Sequence, residues 1–478
     1  MLNEKNEIET GAKGAGLKRA LGLFTGILLV IGIMIGSGVF KKIIPMVQSG
    51  IDQSWILVAW IIPGIISICG AFIISGLSSL TEESGGVYEY LRLSFGNFFS
   101  FLFGWTDFTI IGSASVAALA FMFSQTVNTI VPLPNPFQSL EHLSIAGFIF
   151  PFADSGIKLL SIISIVLLTW VNTRGVENGG VINNIMTSGK VLGLLIIIVI
   201  GLFYTSPNAV TNIPSVTPVA KGLQGGAFIS AFFGAMLSAL WAYDGWLDIS
   251  FVTGEIKNPK RNVPLAIIFG VCITMFVYVL INFVYMHVVP LEQLAAVGQN
   301  QIGAAVVVES MIGKAGKTLI VILIMVSAFG SLNAILLSHS RIYFRMAQEN
   351  FFFKKAAAVH PKFQTPHISL LYTMTWSLVL VISGTFDLLT DMVVFASFLF
   401  NFMLSLALIQ MKRKGLIKER VIGYPVIPVI MMLFSLALIV NTVMIQPKQT
   451  LTGICLVLSG VFFYLYFKSR NGASKKLI

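Results

Sequence analysis

Val30-Ile31-Gly32-Ile33-Met34-Ile35-Gly36-Ser37-Gly38-Val39-Phe40 runs through the middle of the first long apolar stretch of this chain. Leu240-Trp241-Ala242-Tyr243-Asp244-Gly245-Trp246 does the same in the sixth. Glycine weakens a helix, and Ser or Asp offers the backbone other partners, so each reads as a break in a membrane-spanning helix. The two breaks fall five spans apart, the first span entering from one side and the sixth from the other. Corresponding interruptions in halves of opposite topology point to an inverted-repeat transporter with its site near the bilayer midplane. The plainer alternative is a glycine face that packs closely on a neighbour, as the Gly32/Gly36 spacing allows.

The rest of the chain agrees with a membrane reading. Of 478 residues, 56% are hydrophobic and only 11% are charged, against about 25% charged in a soluble domain. Mean hydropathy is +0.88. The apolar runs are continuous rather than alternating, which selects helices over a barrel. A span needs about 20 apolar residues. Twelve are read, at 19–49, 54–80, 98–130, 157–173, 180–205, 225–255, 263–289, 317–342, 367–385, 390–411, 424–446 and 450–468. No cleavable leader is read, because the first residues are polar and the next apolar run is too long for one.

A net charge of +11 would suggest nucleic acid in a soluble protein. Here it follows the loops instead. With the N-terminus inside, Lys41, Lys42, Lys158, Lys221, Lys314, Lys317 and Lys448 fall outside. Apart from Lys190, which sits within the fifth span, every other Lys and Arg falls inside. That bias supports twelve spans with both termini cytoplasmic and leaves no need for a nucleic-acid partner. Residues 81–97, with Glu82, Glu83, Glu89 and Arg92, read as an amphipathic element on the inner surface.

Several motifs are set aside. The run Gly313-Lys314-Ala315-Gly316-Lys317-Thr318 lacks the leading glycine of a phosphate-binding loop, since position 311 is Met311. The five histidines have no metal-ligand spacing, and no nucleophile–base pair stands out. No metal, no cofactor and no enzyme activity is therefore expected. Cys69, Cys272 and Cys455 lie far apart in apolar runs and read as buried structural thiols.

The breaks carry their own chemistry. A half-helix ending near Ile33 to Ile35 leaves carbonyls without partners, and one starting at Ser37 and Gly38 leaves N–H groups without partners. The first end attracts cations and the second anions, as the ammonium and carboxylate of an amino acid require. Leu240, Trp241 and Ala242 supply further carbonyls. Lys190 is an intramembrane cation, a functional position by default, although a lysine reaching the inner headgroups would look the same. Asp244 either caps the second half-helix of span 6 or binds substrate or a proton. Asp107 and Asp248 read as acids near an interface or a water cavity.

At these residues the chain resembles the amino acid–polyamine–organocation superfamily, and within it the L-type amino acid transporter branch and its bacterial relatives. The resemblance rests on Gly36-Ser37-Gly38-Val39-Phe40, on Trp241 through Trp246, and on Glu255-Ile256-Lys257-Asn258-Pro259-Lys260-Arg261-Asn262-Val263-Pro264. Ser327-Ala328-Phe329-Gly330-Ser331-Leu332-Asn333 and His360-Pro361 fit as well. It implies an all-α polytopic membrane protein with twelve transmembrane helices. These form a five-plus-five inverted repeat (LeuT-like), with discontinuous helices 1 and 6, plus two extra helices. The segments would be a tail 1–18, a first repeat 19–205, a second repeat 225–411, helices 11 and 12 in 424–468, and a tail 469–478.

By the same resemblance Ser37 and Gly38 would hold the substrate carboxylate. Carbonyls of Ile33, Met34, Trp241 and Ala242 would lie near its ammonium, and Trp241 would gate the site. Lys190 would link the first helix near Gly36 to the eighth near Ser331, its charge replacing a sodium ion. The outer loop 131–155 has no cysteine for a disulfide-linked heavy chain. The function expected is a sodium-independent exchanger of neutral L-amino acids in the inner membrane, working by alternating access and possible as a monomer. A proton-coupled importer of amino acids or amines, with Asp244 or Lys190 titrating, is the alternative. A channel or membrane sensor is the remote one.

Overall fold

A computed structural model describes residues 21–81, 85–145, 150–175, 179–204, 223–298 and 301–475. The N-terminal tail and Lys221 lie outside them. The elements are helices, and the only strand-like pairing among the described residues is a single parallel bridge between Leu21 and Ile256. Ten helices are long and apolar enough to cross a membrane, and Leu23–Met34 and His367–Ser383 are shorter apolar ones. The protein is an all-α, multi-pass membrane protein.

The first stretch is helix α1 (Leu23–Met34), then α2 (Gly38–Lys41) and α3 (Ile43–Gln48). Helix α4 (Gln53–Leu77) returns, and α5 (Val87–Phe95) lies between it and the third span. That span is α6 (Asn97–Thr106), a π turn (Asp107–Ile111) and α7 (Gly112–Ile130). It is the most enclosed of all, 89% of its apolar window being buried, because small residues such as Ala114, Ala117, Ala118 and Ala120 let neighbours approach from every side. Helices α8 (Ser155–Thr173) and α9 (Gly179–Leu202) complete the first half.

The second half opens with α10 (Gly225–Tyr243), which is followed by a 3-10 segment (Asp248–Glu255). Next come α11 (Pro259–Val288), the short α12 (Leu291–Ala295), and α13 (Gly303–Gln348), which kinks at Gly313. Helices α14 (His367–Ser383), α15 (Phe386–Arg413), α16 (Val426–Ile445) and α17 (Pro447–Lys475) end the chain. α13 lies against α7, α11 against both α1 and α4, and α10 against α4. The broken segments are thus enclosed between α7 and α13 on one side and α4 and α11 on the other. Helices α16 and α17 have the least buried windows, at 28% each, and turn rows of Leu, Ile and Phe outward.

Three expectations from the sequence change here. The eighth span begins before residue 317, since residues 303–312 join it through the kink. Within the element read at 81–97, Glu89 of α5 is buried and Leu93 exposed. Glu89 turns in because Arg92, at 2.6 Å, and Arg345, at 3.2 Å, both reach it. Lys41 and Lys42 are buried rather than lying in an open outer loop. Lys42 pairs with Asp387 at 2.7 Å and donates to Thr390 at 2.9 Å, while Lys41 donates to Gln125 at 2.7 Å. Of the three thiols only Cys69 is buried, and Cys455 is exposed on α17.

Candidate functional site

Helix α1 stops where Ile35 leaves helical geometry, at φ −76° and ψ 74°. Its register is lost at Gly36 and Ser37 and resumes at Gly38. Among the described residues neither the Ser37 nor the Gly38 N–H donates to a backbone carbonyl. In α10 the helix ends at Asp244, which is extended with ψ 155°, and Gly245 follows at φ +95°. Only glycine adopts that φ without strain. The breaks abut each other. A Cβ at Gly38 would overlap the Cα and Cβ of Ala242, and one at Gly245 would overlap the Ile33 side chain.

Two side chains stitch the breaks together. The Tyr278 hydroxyl lies 2.6 Å from the Met34 carbonyl and 2.9 Å from the Ala242 carbonyl. One hydroxyl proton serves one acceptor at a time, so these carbonyls keep capacity for another donor. The Trp241 indole N–H donates to Ser37 Oγ at 3.0 Å, and the Trp241 carbonyl accepts from the Asp244 N–H at 3.2 Å. Tyr278 escapes a sequence reading because it is one aromatic among many in an apolar run. Tyr278→Phe should leave a buried carbonyl short of its partner, costing about 1–3 kcal/mol. A lower Tm with slower transport checks this, and an unchanged Tm contradicts it.

Ile33, Met34, Gly36, Ser37, Gly38, Leu119, Trp241, Asp244, Gly245, Asp248, Ile335 and His339 enclose a cavity of about 20 Å³ between the breaks. That is room for a water and not for an amino acid, so this conformation is closed around the site. Trp241 packs edge-on against Phe386, and Lys41 Nζ lies 4.2 Å over the other ring. Beyond them a cavity of about 540 Å³ is lined by Lys41, Lys42, Ser238, Asp387, Asp391 and Gln446 among others. Trp241 and Phe386 thus separate a wide vestibule from the tight central space.

Lys190 is buried on α9 and reaches the first break. Its ammonium donates to the carbonyls of Gly32 at 3.1 Å and Ile35 at 3.3 Å, and to Ser331 Oγ at 3.2 Å. Ser331 Oγ in turn donates to the Gly32 carbonyl at 3.2 Å, and Ser327 Oγ to the Ile35 carbonyl at 3.0 Å. The lysine nitrogen therefore sits at the carbonyl end of the broken helix, where the helix dipole favours positive charge.

Known proteins match this chain over almost its whole length. Residues 21–466 fit the family described as amino acid permease. The chain belongs to the amino acid permease family. The serine/threonine exchanger SteT of Bacillus subtilis (strain 168) is 29% identical over 463 residues, covering 96% of the permease and 99% of SteT. The human b(0,+)-type amino acid transporter 1 is 29% identical over 469 residues, covering 97% and 91%. The human large neutral amino acids transporter small subunit 2 is 29% identical over 471 residues, covering 96% and 82%. These relatives are transporters, not enzymes, and they agree with the L-type resemblance within the superfamily.

The remaining acids of the permease lie inside it. Asp244 does not cap the segment after the break: Leu247 stands at that N-cap position, and no side-chain cap bond is made there. Asp244 instead borders the central cavity with Asp248 and His339. Asp107 and Asp248 are buried, at 0% and 5% exposure, and Asp248 borders the central cavity, one of the two settings expected for it. His339, set aside for want of a metal spacing, lies between them.

Proposed function

We propose that this permease is a sodium-independent exchanger of neutral L-amino acids that works by alternating access. The observation that carries the reading is the Lys190 ammonium held by Gly32, Ile35 and Ser331 at the first break. A resident positive charge there serves the electrostatic need that a bound sodium ion would otherwise meet. The substrate carboxylate meets the free N–H groups of Ser37 and Gly38, and its ammonium meets carbonyls of Ile33, Met34, Trp241 and Ala242. Apolar walls from Ile33, Met34, Leu119, Trp241 and Ile335 favour an uncharged side chain. Trp241, edge-on against Phe386, is the gate toward the vestibule. The relatives that are named as exchanger and transporters support the same chemistry.

The fold that goes with this reading has twelve spans. Residues 19–205 and 225–411 form the two inverted repeats, 424–468 the two extra helices, and 1–18 and 469–478 cytoplasmic tails. The chain lies in the cell membrane and functions without a disulfide-linked heavy chain, in keeping with a loop 131–155 free of cysteine.

Purified protein in liposomes tests the reading. Labelled amino acid should enter only when unlabelled amino acid is inside, and replacing sodium with choline should leave the rate unchanged. Alanine, serine and leucine should compete, and amino alcohols lacking the carboxylate should not. A sodium requirement, uptake into empty vesicles driven by a pH gradient, or lysine outcompeting the neutral amino acids would overturn it.

A further inference from the structure

His339 meets a carboxylate at each ring nitrogen. Nδ1 is 3.0 Å from both oxygens of Asp107, 232 residues away in sequence, and Nε2 is 3.4 Å from Asp248 Oδ2. The Tyr343 hydroxyl donates to Asp107 at 2.8 Å, and Ser338 Oγ is 3.5 Å from Asp248. The third acid facing this group is Asp244, across the central cavity. The Phe251 ring stands edge-on to the imidazole at 5.4 Å. A side chain at Gly112 would overlap both His339 and Tyr343, so the backbone of α7 makes the space for them. The two carboxylates flank opposite edges of one ring and do not converge on a point that a metal ion could occupy.

A neutral imidazole has one N–H and donates to one partner, whereas the imidazolium donates to two. Ionised carboxylates only accept. Both contacts are therefore attractive ion pairs only while the ring carries the extra proton. The arms belong to different parts of the fold. Asp107 lies in the π turn of the most enclosed span and His339 on α13, while Asp248 lies just beyond the break that follows α10.

We propose that His339, with Asp107 and Asp248, is a proton-binding site that governs transport. With the proton bound, the inner part of the sixth span is latched to α7 and α13. When Nε2 gives its proton to water in the cavity, Asp248 is released and the segment after Gly245 swings free toward the inner side. Asp107 keeps its bond, because Nδ1 has the shorter contacts and the Tyr343 hydroxyl completes that carboxylate. The proposal rests on the transporter reading for its rate effects, and its structural part stands alone.

The test has two arms. Exchange in proteoliposomes, with equal pH on both faces, should rise severalfold as pH is raised, where the ring between the two carboxylates gives up its extra proton. His339→Gln should flatten that profile, and Asp248→Asn should raise the rate at the acid end. In detergent, the wild-type Tm should fall over the same rise in pH, because losing the proton removes an ion pair. The His339→Gln Tm should lack that fall. If no amino acid is transported at any pH, the substrate reading fails, and the Tm arm still judges the site. A flat wild-type exchange profile in active protein, or Tm profiles that coincide for wild type and His339→Gln, overturns the proposal.

Discussion

Gly38→Val abolishes amino acid exchange in protein that still inserts and purifies: this is the largest loss expected from a single residue. A Cβ at this position has nowhere to go, since it would overlap Ala242 on the facing break. Overpacking a tight contact costs about 1–3 kcal/mol, which a large membrane protein tolerates. The functional cost is steeper. Separating the breaks moves the N–H groups of Ser37 and Gly38 away from the carbonyls of Met34 and Ala242. The carboxylate and ammonium of one small molecule then no longer reach both sets. Losing a charge-assisted hydrogen bond is worth about 1.5–3 kcal/mol, or about one to two powers of ten in affinity. Gly38→Ala should show the same defect in milder form. Radiolabelled exchange and substrate-induced thermal stabilisation measure it, and wild-type exchange by Gly38→Val would show that the breaks do not hold the substrate as described.

Lys190→Met should be the second most damaging change, and for a different reason. Methionine nearly matches the length of the lysine stem, and the exposed carbonyls are not orphaned by the swap. Ser331 still donates to Gly32 and Ser327 to Ile35. Expression and Tm should therefore stay near wild type. What vanishes is a charge at the end of a broken helix, worth up to ~2 kcal/mol in a partly buried setting. With it goes the tie between α9, α1 and α13 that sets how the first span tilts. Exchange should fall by about tenfold or more. Lys190→Arg should not rescue it, since a forked guanidinium does not fit a point-charge position. Full activity in Lys190→Met would show that the lysine only fills space.

The parts of this site that the sequence discloses share one property: they are expensive in their setting. Gly36-Ser37-Gly38 and Asp244-Gly245 stand out because an apolar helix in lipid has no reason to hold such residues. Lys190 stands out because an ammonium in a span is costly. No spacing rule links Lys190 to its partners, which lie 158, 155 and 141 residues away. Cost marks the residue, and its partners near Gly36 and at Ser331 came from the family resemblance rather than from any spacing.

The parts that stayed hidden are cheap or distant. Tyr278 is one aromatic among several, and its hydroxyl matters only because two breaks arrive beside it. His339 has no nearby histidine, and its acids come from the third and sixth spans. Lys41 and Lys42 look like loop cations until Gln125 and Asp387, both from later helices, fold over them. The burial of Glu89 on α5 was equally hidden, because Arg345, at the far end of α13, supplies it with a second cation inside the protein.

The π turn at Asp107–Ile111 has a consequence for how this molecule tolerates change over evolutionary time. A π turn holds one residue more than the helix on either side of it, and each residue turns an α-helix by about 100°. The phase of α7 is therefore shifted from that of α6. Trp105 can stack on Phe463, at 4.1 Å between ring centres, and donate to Ser459 of α17. About two turns later, the Ser113 carbonyl accepts from Ser377 of α14. A single codon lost from 107–111 would restore a straight helix and rotate all of one face off its neighbours, carrying Asp107 away from His339. A residue added to an outer loop would leave this packing in place, whereas a residue lost from this one turn would not.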